Sequence, residues 1–145
     1  MIHGIDHTAI SVPDLRKALD FYCGVLGFEV VFEAGWPVGA GPLDTLVGLR
    51  DSSSKVAMLR FGPTRIELFE YATPSPRAQD PRRPVNDHGY THICLRVSDI
   101  ATEHARLARA GMVFNSAPVD LGPDVCVYGR DPFGNTIELI ETKVS

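Results

Sequence analysis

The sequence predicts an α+β fold built from two paired βαβββ modules. Two observations carry this. The stretches DHTAISVPDL (6–15) and THICLRVSDI (91–100) align without a gap, placing His7 on His92, Val12 on Val97 and Asp14 on Asp99. The stretches TRIELFEY (64–71) and NTIELIET (135–142) share Ile, Glu, Leu and Glu at matching places. Each half therefore opens on a strand carrying a His and closes on a strand carrying a Glu. Units this short bury no sheet alone, so two of them are expected to pair. The expected organisation is a first module at 1–72, a Pro-rich linker at 73–89 and a second module at 90–145, together one domain with a sheet open around a cleft.

The elements follow in order. HGIDHTAISV alternates and is β-branched, which predicts a strand. Pro13 ends it, and Asp14 is a fitting N-cap for a helix in which Leu15, Ala18, Leu19, Tyr22 and Leu26 recur at helical spacing. Gly27 suits its C-terminal end. FEVVFE reads as the second strand. The stretch from Ala34 to Asp44 is rich in Gly and Pro and is expected to be a loop carrying Trp36. SKVAMLRF and TRIELFEY form a hairpin about Gly62-Pro63. Residues 72–89 hold four Pro and little apolar content. Then the pattern repeats: the strand YTHICLRV, a helix capped by Asp99 and ended by Gly111, the short strand MVF, the strand DVCVYGR, the turn DPFGN and the strand NTIELIE.

Bulk properties narrow the function classes. The net charge of −4 over 145 residues gives no field for general nucleic-acid binding. No apolar run approaches a membrane span, and the start lacks the pattern of a secretory signal. Cys23, Cys94 and Cys126 form no CxxC pair, which argues against a disulfide framework or a thiolate zinc site and points to the cytosol.

Strand parity then selects side chains. His7, Ala9 and Ser11 share the face opposite Ile10 and Val12. His92, Cys94, Arg96 and Ser98 share the face opposite Ile93, Leu95 and Val97. Glu67, Phe69 and Tyr71 oppose Ile66 and Leu68, and Glu138 and Ile140 oppose Ile137 and Leu139. Two sheets facing each other would line a cleft with His7, Glu67, His92 and Glu138. Two imidazoles and two carboxylates suit one divalent metal ion, whether Zn, Ni, Co, Fe or Mn. Such an ion polarises a carbonyl oxygen, and Glu138 or Glu67 moves a proton at the adjacent carbon. By parity Met58, Arg60, Phe69, Tyr71 and Tyr128 could line the cleft, with Trp36 reaching it from the loop. Plain core packing explains Met58 and Phe69 equally well. His3, His88 and His104 have no partner in the repeat and read as structural or exposed.

IDHTAISVPDLRKALDFYCGVLGFEV, GYTHICLRVSDI and YGRDPFGNTIELIE resemble the vicinal oxygen chelate superfamily, which includes glyoxalase I, methylmalonyl-CoA epimerase, extradiol dioxygenases and fosfomycin and bleomycin resistance proteins. The resemblance spans nearly the whole chain. It implies a metal held at His7, Glu67, His92 and Glu138, a small-molecule substrate and a homodimer. Two positions depart from the glutathione-dependent branch: Ser11 stands where that branch has an Arg, and Tyr71 where it often has an Asn. The expected activity is a glyoxalase-like lyase or isomerase moving a proton next to a carbonyl. The alternatives are an Fe(II) extradiol dioxygenase using His7, His92 and Glu138, or a metal-free binding and resistance protein.

Overall fold

A computed structural model describes residues 1–143. The chain divides into two units, Met1–Ala78 and Gln79 to the C-terminus. None of the helices in the described residues is long and apolar enough to cross a membrane.

The first unit runs β1 (Thr8–Ser11), α1 (Leu15–Tyr22), β2 (Glu29–Trp36), α2 (Gly41–Val47), β3 (Ser53–Phe61) and β4 (Thr64–Thr73). Its sheet has the order β1-β4-β3-β2. β1 lies parallel to β4, a pairing that requires a long crossover, here the chain from α1 through β3. The other pairs are antiparallel. Ala57 and Leu59 of β3 and Ile66 and Leu68 of β4 point to one face and are buried with Leu15, Ala18, Leu19 and Tyr22 of α1. The opposite face carries Glu67, Phe69 and Tyr71, as strand alternation requires.

The second unit runs β5 (His92–Arg96), α3 (Ile100–Arg109), β6 (Val113–Phe114), β7 (Val119–Asp120), β8 (Asp124–Arg130) and β9 (Thr136–Thr142). Its sheet has the order β5-β9-β8-β6, with β7 also paired to β8. β5 is again parallel to the closing strand β9. Val127, Ile137 and Leu139 are buried with Ile100, Leu107 and Met112. Gly111 directly follows the Ala110 C-cap of α3 at φ 102°, where a side chain would be strained. α1 instead ends at Tyr22 with Cys23 as its C-cap, so it stops short of the expected Leu26, and Gly27, at φ 84°, lies in the connection to β2. The DPFGN turn closes on Asp131, whose carboxylate accepts from the backbone N–H groups of Phe133 and Asn135 and from the Asn135 amide.

Three local expectations need correction. The segment from Ala34 to Asp44 is not one loop: β2 continues through Trp36, and α2 begins at Gly41. The strand gains Gly35 and Trp36 through pairing with Lys55 and Ser54, which local composition does not encode. β1 begins only at Thr8, so His7 lies just before it. The second unit also has the extra strand β7.

The starts of α1 and α3 are each held twice. Asp14 accepts from the Lys17 N–H and Asp99 from the Thr102 N–H, as N-caps do. From the closing strand, Glu70 accepts from the Leu15 N–H at 2.7 Å, and Glu141 from those of Asp99 and Ile100 at 2.8 and 2.9 Å. So the two glutamates repeated in each closing strand have different tasks. They are three residues apart and face opposite ways. Glu70 and Glu141 tie the helix to the sheet, while Glu67 and Glu138 face away from it.

Candidate metal centre

The parallel pairing of first and last strand sets the geometry. In the first unit Ala9 is the register partner of Glu67; in the second, Cys94 is the partner of Glu138. Each His lies two residues before that partner, on the same face, so His and Glu meet on a diagonal. His7 Nε2 lies 3.2 Å from Glu67 Oε2, and His92 Nε2 lies 3.1 Å from Glu138 Oε2. Both carboxylates are largely shielded, at 17% and 15% side-chain exposure, while the imidazoles are more open at 34% and 28%.

The distant ring nitrogen is tied in both units. His7 Nδ1 is 2.8 Å from Asp6 Oδ1, and Asp6 is in turn paired with the Arg65 guanidinium. Asp6 has only acceptors when ionised, so the ring N–H at Nδ1 donates to it, which would leave the Nε2 lone pair for an ion. The His7 hydrogen bond, with Arg65 close by, holds the Asp6 carboxyl below the usual range. His92 Nδ1 is 2.8 Å from the Thr91 hydroxyl, which serves either tautomer. Sequence reading missed Asp6 and Thr91. The available signal was their shared place immediately before each His.

The second unit adds Tyr128 on β8, the register partner of Glu138. Its ring meets His92 edge-on, with centroids 4.9 Å apart, and its hydroxyl is 3.4 Å from His92 Nε2. Desolvation and the Glu138 carboxylate push the Tyr128 phenol up. Burial first and Glu138 second push the Cys94 thiol up to about 12, so Cys94 stays protonated rather than acting as a thiolate.

The remaining candidates separate. Met58 is buried as the register partner of Glu67. Phe69 and Tyr71 share the Glu67 face and stack at 5.5 Å. Trp36 meets both edge-on. Arg60 is committed to Glu29 at the exposed strand end. His104 bonds the Ser116 carbonyl and packs on Phe114, a structural role. The structure thus brings His7 to Glu67 and His92 to Glu138. Among the described residues no group of three or more His, Cys, Asp or Glu side chains is gathered as a metal site.

The donor spacing suits a divalent ion. Ligand bonds of roughly 2.1 Å at octahedral to tetrahedral angles set neighbouring donor atoms about 3.0–3.4 Å apart. Both observed Nε2–Oε2 separations fall in that interval.

Residues 4–139 match the Glyoxalase/Bleomycin resistance protein/Dioxygenase superfamily. The chain belongs to this superfamily. Among curated relatives, a 2-epi-5-epi-valiolone epimerase from an Actinomyces species is 36% identical, covering 94% of this chain and 78% of the relative. A probable lactoylglutathione lyase of Synechocystis is 29% identical, covering 94% and 93%. A glyoxalase family protein from Bacillus cereus has a solved structure that superposes with a TM-score of 0.89 at 26% identity, covering 99% and 97%. The superfamily's α+β architecture is the one described above, and the activities named for these relatives are lyase and epimerase chemistry.

Proposed function

We propose that the protein is a divalent-metal-dependent lyase or isomerase that moves a proton at a carbon next to a carbonyl, with epimerisation the favoured form. The observation that carries this reading is the repeated His–Glu diagonal, at 3.2 and 3.1 Å, with the distant nitrogen of each imidazole already tied. His7, Glu67, His92 and Glu138 are the residues proposed to hold the ion. When bound, it would polarise the substrate carbonyl and stabilise the negative charge that develops there.

The chain's own residues supply the rest. A carboxylate removes the proton from the carbon, the C–H electron pair moves to the carbonyl oxygen, and an enolate forms. Epimerisation returns a proton to the opposite side of that carbon. In this form one of Glu67 and Glu138 takes the proton as a carboxylate, and the other, starting as a carboxylic acid, gives its own proton to the opposite side, so the two exchange protonation states in each turnover. Asp6 and Thr91 hold the imidazoles in place. The epimerase relative supports this form of the reaction, and the lyase relatives support the wider class. The cytosol and a homodimer remain the proposed setting.

The test is metal content per subunit together with deuterium wash-in at the carbon next to the carbonyl of candidate ketones. About one ion per subunit, with wash-in lost on chelation and regained on reloading, is the expected outcome. Oxygen uptake with a catechol, or high-affinity binding with no metal and no exchange, would overturn it.

A further inference from the structure

The face that carries Glu67 also carries a wall of three aromatic rings. Phe69 and Tyr71 follow Glu67 at two and four residues along β4, so all three side chains share one face. The Phe69 and Tyr71 rings lie nearly parallel, 16° apart. Trp36, at the end of β2, stands edge-on to both, 6.2 Å from Phe69 and 5.9 Å from Tyr71. All three residues are half-buried, so each keeps some exposed surface.

The wall is held from behind. Trp36 Nε1 donates to the Ser52 hydroxyl at 2.9 Å. Ser52 is fully buried and donates in turn to Asp44. Asp44 also accepts the backbone N–H groups of Ser52 and Asp51. These donors, the Ser52 hydroxyl foremost, hold the Asp44 carboxyl below its usual range. The chain Asp44–Ser52–Trp36 fixes the indole while its ring stays partly exposed. Among its described residues the second unit has no such wall: Ile140 and Thr142 stand at the positions of Phe69 and Tyr71.

We infer that the Trp36–Phe69–Tyr71 wall binds the ring of a polyhydroxylated cyclic ketone whose reacting carbon lies at the Glu67 end. The inference rests on the proton-transfer reading, which requires a ketone or aldehyde with a C–H beside the carbonyl. A planar aromatic ligand would stack on the wall but offers no such C–H. A fixed set of rings favours a rigid ligand, because an open chain loses more freedom on binding. The C–H edges of a saturated ring lie well against aromatic faces. A half-open wall leaves the far rim of the ligand in water, where hydroxyl groups are at home. Aromatic residues with a few placed polar groups are the usual make-up of small-molecule sites.

Trp36 is the sole tryptophan, so its emission reports on the wall directly. The metal-loaded protein would be titrated with two cyclic polyol ketones, scyllo-inosose and 2-epi-5-epi-valiolone, and with dihydroxyacetone as the open-chain ketone. A saturable change in Trp36 emission with a cyclic probe is expected, and a weaker one or none with dihydroxyacetone. Phe69→Leu and Tyr71→Phe, chosen to keep the fold, should leave metal content unchanged. Phe69→Leu should weaken binding about 3- to 10-fold, and Tyr71→Phe less. Trp36→Phe, followed by calorimetry, should weaken it similarly. Unmoved Trp36 emission while dihydroxyacetone shows deuterium wash-in would sink the wall and leave the proton-transfer reading standing. A cyclic probe that moves Trp36 and is weakened by Phe69→Leu, yet shows no wash-in, would uphold the wall and sink that reading.

Discussion

The two units hold the same pair of side chains in the same register and support it differently. In the first unit an anion stands behind the imidazole: Asp6 on His7 Nδ1, itself paired with Arg65. In the second unit the support is neutral, with the Thr91 hydroxyl on Nδ1 and the Tyr128 ring against the imidazole face. The difference teaches that the paired donors, not their surroundings, are what the repeat keeps in common. The first unit is fixed in tautomer by charge, while the second is free to adjust.

The comparison breaks most sharply at the donors. Glu67→Ala and Glu138→Ala should each lose most of the bound metal and essentially all proton exchange, measured by elemental analysis and deuterium wash-in. If Glu67→Ala keeps its ion while Glu138→Ala loses it, the donors are not equivalent, and a three-ligand site of His7, His92 and Glu138 replaces the four-ligand one. The next largest effect lies in the supports. Asp6→Asn replaces an obligate acceptor with an amide that can also donate, so Nδ1–H is no longer enforced. Metal affinity should fall about 10- to 100-fold. Thr91→Val should cost clearly less, because the hydroxyl it removes imposed no tautomer. Equal losses in competitive chelator titrations would mean that charge behind the imidazole is irrelevant.

Much of this was legible before any coordinates. The repeat, the hairpin and the faces carrying His7, Glu67, His92 and Glu138 follow from alternation and from the match between halves, because strand parity is a local property; which His meets which Glu follows from the parallel pairing of first and last strand. The unreadable parts are non-local. Gly35 and Trp36 look like loop residues until β3 pairs with them and Ser52 takes the indole N–H. Arg60 has the right parity for the Glu67 face, yet Glu29 claims it at the strand end. Asp6 and Thr91 share a place but not a residue type, so aligning the halves conceals a common task. Glu70 and Glu141 were visible as a repeat, but their role requires knowing that each helix starts over its own closing strand.

That second pair of glutamates gives a stability comparison. Glu70 is held below the ordinary range by the Leu15 N–H first and the Lys55 ammonium second. A carboxyl depressed in the folded state contributes its full stability above its unfolded pKa. It loses that contribution as pH falls through the folded value. Glu70→Gln should therefore cost about 1 kcal/mol near neutrality. The gap from wild type should narrow in denaturant melts as the pH drops below about 4.3, the ordinary Glu value. Glu141→Gln should cost a similar amount, since two backbone N–H groups meet it. Salt should reduce the Glu70 effect more, because Lys55 is paired with Glu70 at an exposed position.

The smallest effect is expected at Tyr128, and it sharpens the comparison most finely. Its hydroxyl reaches His92 Nε2 at 3.4 Å, beyond the usual span of a strong hydrogen bond. Nε2 also lies nearer to Glu138 Oε2, at 3.1 Å, so the hydroxyl is its secondary partner. Removing the hydroxyl removes a weak competitor and leaves the edge-on ring in place. Tyr128→Phe should therefore keep metal affinity within about threefold of wild type, a gap of roughly 0.7 kcal/mol or less, and Tyr128→Ala should disturb it more by releasing the imidazole. A tenfold loss in Tyr128→Phe would show that the hydroxyl acts on the bound state. The support in the second unit would then be as exacting as Asp6 in the first, and the inequality between the units would vanish.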